Sequence, residues 1–118
     1  MKEKFRYVPG SARVSRGEGS SYVIHNYITR DVSPNVSVAL SELDGELPFT
    51  RNTISDRVYY FVDADADVEF ASGEKIHVSS GDALFIAART EYQIVGAFSA
   101  VLVNSPPFSV QNEYARGR

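Results

Sequence analysis

A chain of 118 residues with 43% hydrophobic residues and a formal charge of −3 has the make-up of one globular domain, burying roughly 65% of its unfolded surface. That balance excludes a disordered segment or a nucleic-acid-coating one. With no cysteine it can form no disulfide, thiolate metal site or cysteine nucleophile, which fits a reducing compartment, and the cytoplasm is the expected location.

In chain order, residues 1–19 read as an N-terminal arm. They mix Lys2, Glu3, Lys4 and Arg6 with Phe5, Tyr7 and Val8, so they lack the apolar core of a signal peptide. Short runs of valine, isoleucine, tyrosine and phenylalanine then recur between turn residues, predicting strands over 20–29, 36–43, 57–63, 67–71, 74–78, 83–87, 91–95 and 98–104. Ser33-Pro34-Asn35, Asp44-Gly45, Ser72-Gly73, Gly81-Asp82 and Gly96 supply the turns. No window keeps a helical period, and no stretch approaches the roughly 20 apolar residues of a membrane span. The barrel is expected over 20–108, with 109–118 a polar, frayed tail.

Between Gly45 and Gly96 two spaced series stand out. One is Gly45, Arg51, Thr53, Arg57 and Ala64, and the other is Gly81, Ala87, Arg89, Tyr92 and Gly96. Together with the tyrosine-rich run after Arg57, the Gly81-Asp82 turn and the Asn104-Ser105-Pro106-Pro107-Phe108 ending, they resemble the small single-domain cupins over about residues 36–108. The resemblance implies an all-β, jelly-roll double-stranded β-helix. The family's first motif is glycine, five residues, His-x-His, three or four residues, glutamate, six residues, glycine. Its second is glycine, five residues, Pro-x-Gly, two residues, histidine, three residues, asparagine.

In the family a divalent ion is held by the two histidines and glutamate of the first motif and the histidine of the second. Those positions carry Arg51, Thr53, Arg57 and Tyr92 here. A guanidinium has no lone pair to offer and keeps its charge, so it repels a cation. The expectation is a barrel with no metal and no cofactor, and His25 and His77 are too few to rebuild a conventional ligand cluster.

Strand alternation in the family register turns Arg51, Thr53, Arg57, Tyr59 and Phe61 inward, joined by Tyr92. Two arginines, a hydroxyl and a phenol beside aromatic walls suit a small anionic or carbonyl-bearing organic molecule. Two other readings stand beside this one. Arg51 and Arg57 could pair with Glu42, Asp44 or Asp56 and plug the barrel. Alternatively the cavity could host acid–base chemistry similar to that of metal-free sugar epimerases and isomerases, with Tyr92 as acid and His25 as base.

Three further patterns carry less. Asp63-Ala64-Asp65-Ala66-Asp67 lacks the glycine and closing glutamate of a calcium loop and reads as a solvated turn. The glycine run from Arg16 to Ser21 has no strand-turn-helix context for phosphate, and the serines lack a nucleophile elbow. Tyr7, Tyr22 and Tyr60 need cover, so a homodimer is expected, with the arm exchanged across a link at Gly17 and Gly19. The partners expected are that second copy and the small molecule, not nucleic acid or membrane.

Overall fold

The computed structural model describes residues 4–17 and 21–116; Gly19, Ser20 and Arg118 lie outside them. Among the described residues eight strands form: β1 (Val14–Gly17), β2 (Tyr22–Ile28), β3 (Ser37–Asn52), β4 (Asp56–Phe70), β5 (Lys75–Ser79), β6 (Ala83–Ile86), β7 (Tyr92–Ser105) and β8 (Glu113–Ala115). The sheet runs β1-β2-β3-β7-β4-β5, with β6 on β4 and β8 on β3, and every pairing is antiparallel. None of the described helices is long and apolar enough to cross a membrane.

Three long strands, β3, β4 and β7, carry the barrel. Their buried residues alternate, as a strand with one face on a core requires. In β7 the even positions from Tyr92 to Asn104 supply the buried residues. In β4 the phase changes: Arg57, Tyr59 and Phe61 are buried, then Ala66 and Val68. A register shift between Phe61 and Asp63 accounts for the change, since one extra residue turns the opposite parity inward. β3 does the same between Leu47 and Thr50, with Ser37, Ala39, Ser41 and Leu43 buried before the shift and Thr50 and Asn52 after it.

The strands differ from expectation at several points, the first being that the run 36–43 does not stop at Asp44-Gly45 but continues to Asn52 in β3. The runs 57–63 and 67–71 are one strand, as are 91–95 and 98–104. The strands run on through the expected turns, with Gly45 on β3 facing Gly96 on β7 at φ of 142° and 136°, a conformation that favours glycine. Asp63-Ala64-Asp65-Ala66-Asp67 therefore sits inside β4, its aspartates exposed and Ala66 buried, not in a turn. At the chain ends, Val14–Gly17 pairs with β2, and β8 turns part of the expected loose tail into a strand on β3.

The core centres on aromatic rings. Tyr59 stacks on Phe61 at 5.6 Å between centroids, and Phe98 meets both edge-on. Each geometry is a favourable one for rings. Val68, Ile94, Ala100 and Leu102 complete this side of the core.

Candidate functional site

The register of β4 against β7 sets Arg57 beside Asn104, and burial to 4% exposure obliges the guanidinium to find partners. Its Nε donates to Asn104 Oδ1 at 2.7 Å and its Nη1 to the Tyr92 hydroxyl at 2.8 Å. Nη1 and Nη2 also donate to the two carboxylate oxygens of Glu113, at 3.1 and 2.8 Å. Such a forked, charge-assisted pair is the strong form of the interaction.

Glu113 comes from β8, which pairs with the last three residues of β3. Asn52 Nδ2 donates to its Oε1 at 3.0 Å. The Thr50 hydroxyl lies 2.9 Å from both Glu113 Oε2 and the Tyr114 carbonyl oxygen, with one hydrogen to share between them. Behind Arg57, the Tyr59 and Tyr92 hydroxyls are 2.7 Å apart.

Beside this network lies a cavity of about 240 Å³, slightly below the usual range for drug-sized ligands. Arg57, Tyr59, Tyr22, Asn104 and Glu113 give it a polar end. Ile24, Ala39, Leu47, Leu102 and Phe108 give it an apolar wall, and Arg16 stands over the Phe108 ring. The described charged residues lining it, Arg16, Arg57, Glu46 and Glu113, balance in sign.

Burial raises the pKa of Tyr59 well above the ordinary phenol value, reinforced by repulsion from Tyr92 and Tyr22. Tyr22 is raised as well, by burial first and then by Tyr92. Both phenols therefore stay protonated and can donate. Burial works against the charge of Arg57, but Tyr92, Tyr59 and Glu113 outweigh it and hold the pKa above its ordinary value.

Of the residues singled out from sequence, Arg57 and Tyr59 line the cavity. Tyr92 is buried behind them, bonded to both, and Phe61 is buried in the aromatic core. Arg51 and Thr53 are corrected. After the β3 shift they fall out of the inward phase, so the Arg51 guanidinium lies over the Tyr114 ring at 5.1 Å and the Thr53 hydroxyl donates to the Asn112 carbonyl. Thr50 and Asn52 take the inward positions. The motif's option of four residues before its glutamate would start the pair at Thr50, but only with four residues after Gly45 where the motif has five.

His25 is also corrected. It shares the non-cavity face of β2 with Val23, while Ile24 and Asn26 line the cavity. There its Nδ1 meets the Ser15 hydroxyl at 2.6 Å and its Nε2 donates to Glu42. Tyr22, expected to need outside cover, is buried in the core. Glu113 had no sequence signal, being one acid in a polar tail.

The metal that the resemblance implies does not fit these residues. At that point the chain offers Thr50, Asn52, Tyr92 and one carboxylate already gripped by a guanidinium, and a divalent ion would sit against Arg57. Among the described residues no three His, Asp or Glu side chains converge as a metal site would require. A second hollow of about 580 Å³ carries Glu42, Asp44, Asp63 and Asp65 and none of the buried network.

No protein-family model matches the sequence, and no curated protein does. Solved structures do match. The chain is similar to Pac13 from Streptomyces, described as a nucleoside dehydratase and solved with uridine, with a TM-score of 0.83 and 17% identity over 96% of this chain and 91% of that one. It is also similar to a protein from Planctomyces limnophilus, with a TM-score of 0.83 and 18% identity over 94% and 96% of the two chains. A third match is KdgF from Halomonas sp., with a TM-score of 0.76 and 18% identity over 92% and 99%. These neighbours are cupin-fold proteins, and with the same antiparallel barrel over nearly its whole length the chain has the fold of a small single-domain cupin.

Proposed function

We propose that the protein binds a small anionic or carbonyl-bearing organic molecule in the barrel without a metal ion. The observation that carries this reading is the cavity of about 240 Å³ with protonated phenols and Arg57 at one end and an apolar wall beside them. A ligand carbonyl accepts hydrogen bonds from Tyr22 and Tyr59 while its flat body lies against Ile24, Leu47 and Leu102. An anionic group on the ligand would meet Arg57, whose charge Glu113 balances in this structure.

The acid–base reading loses the base named for it, although Glu46 also lines the cavity. His25 is on the other face of β2, and the carboxylate oxygens of Glu113 are already contacted by Arg57, Asn52 and Thr50, leaving little capacity for a substrate proton. The plugged-barrel reading has Arg57 paired internally, but with Glu113 in place of Glu42, Asp44 or Asp56, and a cavity remains beside the pair.

Thermal-shift and calorimetric screening of small carbonyl-bearing and anionic molecules tests the proposal, beginning with uridine, the molecule solved with Pac13. A binder should raise Tm saturably in the wild type, and Ala39→Leu, which narrows the cavity away from the polar network, should weaken it at least about tenfold. Equal binding to wild type and Ala39→Leu would place the ligand elsewhere and defeat the proposal.

A further inference from the structure

We propose that the donors gripping Glu113 are a carboxylate-binding site that the chain fills with its own C-terminal segment, and that the ligand carries a carboxylate which takes the place of Glu113. This rests on the cavity being a small-molecule site and adds the chemical class of the molecule.

The cradle belongs to the barrel, not to the segment that fills it. Thr50 and Asn52 lie on β3 and Arg57 on β4, all of them buried. Asn104 and Tyr92 hold the guanidinium from behind through Nε and Nη1, so its orientation does not depend on Glu113. A forked arginine with an amide and a hydroxyl alongside, all within 3.1 Å of one carboxylate, is the arrangement that recognition of a carboxylate requires.

The segment supplying the carboxylate is lightly attached. β8 has three residues, paired with the end of β3. Beyond that pairing, backbone and hydroxyl bonds hold Asn112 to Thr53, Tyr114 to Thr50 and Arg116 to Phe49, and the remaining side-chain ties are Arg116 to Glu91, Arg116 over the Phe49 ring, and Arg51 over Tyr114. Contacts of that kind are individually weak. The same segment walls the cavity through Val110, Glu113, Tyr114 and Ala115, so displacing Glu113 uncovers the apolar space next to the cradle. A bare buried guanidinium is strongly unfavourable, which makes exchange of one carboxylate for another the route by which the cavity opens. The tethered carboxylate acts at an effective concentration of roughly millimolar order. Free acetate therefore competes poorly, while a carboxylate whose body also fills the cavity competes well.

The test uses benzoate on the full chain. Calorimetry should show benzoate binding at least about tenfold tighter to Glu113→Ala, and to the shape-preserving Glu113→Gln, than to the wild type. Benzamide, its neutral analogue, should show no such gain. Formate and acetate should raise the Tm of Glu113→Ala saturably and leave the wild type unchanged. In the wild type, exchange of the Arg116 amide, bonded to the Phe49 carbonyl at 2.7 Å, should accelerate as benzoate saturates. Equal benzoate affinity in all three proteins, or an Arg116 amide indifferent to benzoate, would make Glu113 a fixed strut and overturn the inference. Uridine or another neutral molecule binding the wild type alongside that result would leave the cavity reading standing while this one falls.

Discussion

Arg57 and Glu113 meet at 2.8 Å although 56 positions separate them in the chain. The two are unequal in their access to water, Arg57 having 5% of its side chain exposed and Glu113 21%, and the asymmetry sets the sign of a comparison. Glu113→Ala strands a buried charge and should cost about 3 kcal/mol or more, whereas Arg57→Leu leaves a carboxylate that can partly hydrate and should cost less. Urea denaturation of both variants checks the order. Equal losses would mean that the pair is solvated in solution.

Gly96 is fixed by close approach as well as by its φ. A Cβ there would lie 2.5 Å from the Asp65 carbonyl oxygen and 2.7 Å from Ala66 Cα, backbone that cannot step aside. Gly96→Ala should destabilise by about 3 kcal/mol or more. At Gly45 a Cβ meets the Ser21 side chain at 3.3 Å, so Gly45→Ala should cost less. Thermal or urea unfolding of the two variants tests the order.

Arg89 holds a φ of 71° without being glycine, at the position where the second cupin motif carries one. Its amide donates to the Asn52 carbonyl at 2.7 Å, tying this turn to the cradle strand. Removing the left-handed strain should outweigh the added freedom of the unfolded chain, so Arg89→Gly should stabilise by about 0.5–1 kcal/mol in urea unfolding. A loss of stability would show that the arginine side chain matters more than its backbone.

His77 bonds Asp67 at 2.9 Å and lies 3.2 Å from Asp65. The bond to Asp67, followed by the nearby aspartate charges, raises its pKa above 6.5. A raised folded-state pKa gives stability that is fully present below the unfolded value and is lost as pH rises through the folded one. Stability should therefore fall slightly as pH climbs from below 6.5 into the range just above it, and His77→Gln should remove that component. The side chain is exposed, so added salt should shrink the effect. Melting curves at stepped pH, in low and high salt, provide the check.

Phe5 and Tyr7 are 84% and 77% exposed on the N-terminal segment, and Tyr60, Val62 and Phe85 stand exposed on neighbouring strands β4 and β6. One molecule thus carries both an uncovered apolar arm and an uncovered apolar face, and we propose that a second copy would cover each. Light scattering should give a dimer for the full chain, and the double variant Phe5→Ser with Tyr7→Ser should shift it towards monomer. A monomer at every accessible concentration would contradict this.

The fold was legible because alternation, turn residues and two motif spacings agree, and they survive the loss of the ligands themselves. Which side chains turn inward was legible only where the alternation runs unbroken. In β4 the phase holds from Arg57 to Phe61, and those residues do point inward. In β3 the shift between Leu47 and Thr50 reverses the phase just before the site, and a single extra residue cannot be seen in a pattern of period two. Glu113 was hidden for another reason: a carboxylate in a short polar tail is placed by its buried partner, not by its neighbours in sequence.

The central claim is that Arg57 marks the floor of a ligand cavity, and the most direct measurement is an NMR titration that follows the Arg57 Nε–H together with the methyl groups of Ile24, Leu47 and Leu102. With a binder found by thermal shift, these signals should move together and saturate with one affinity. Shifts confined to residues around the Glu42 and Asp63 hollow, with the Arg57 signal unmoved, would contradict the account.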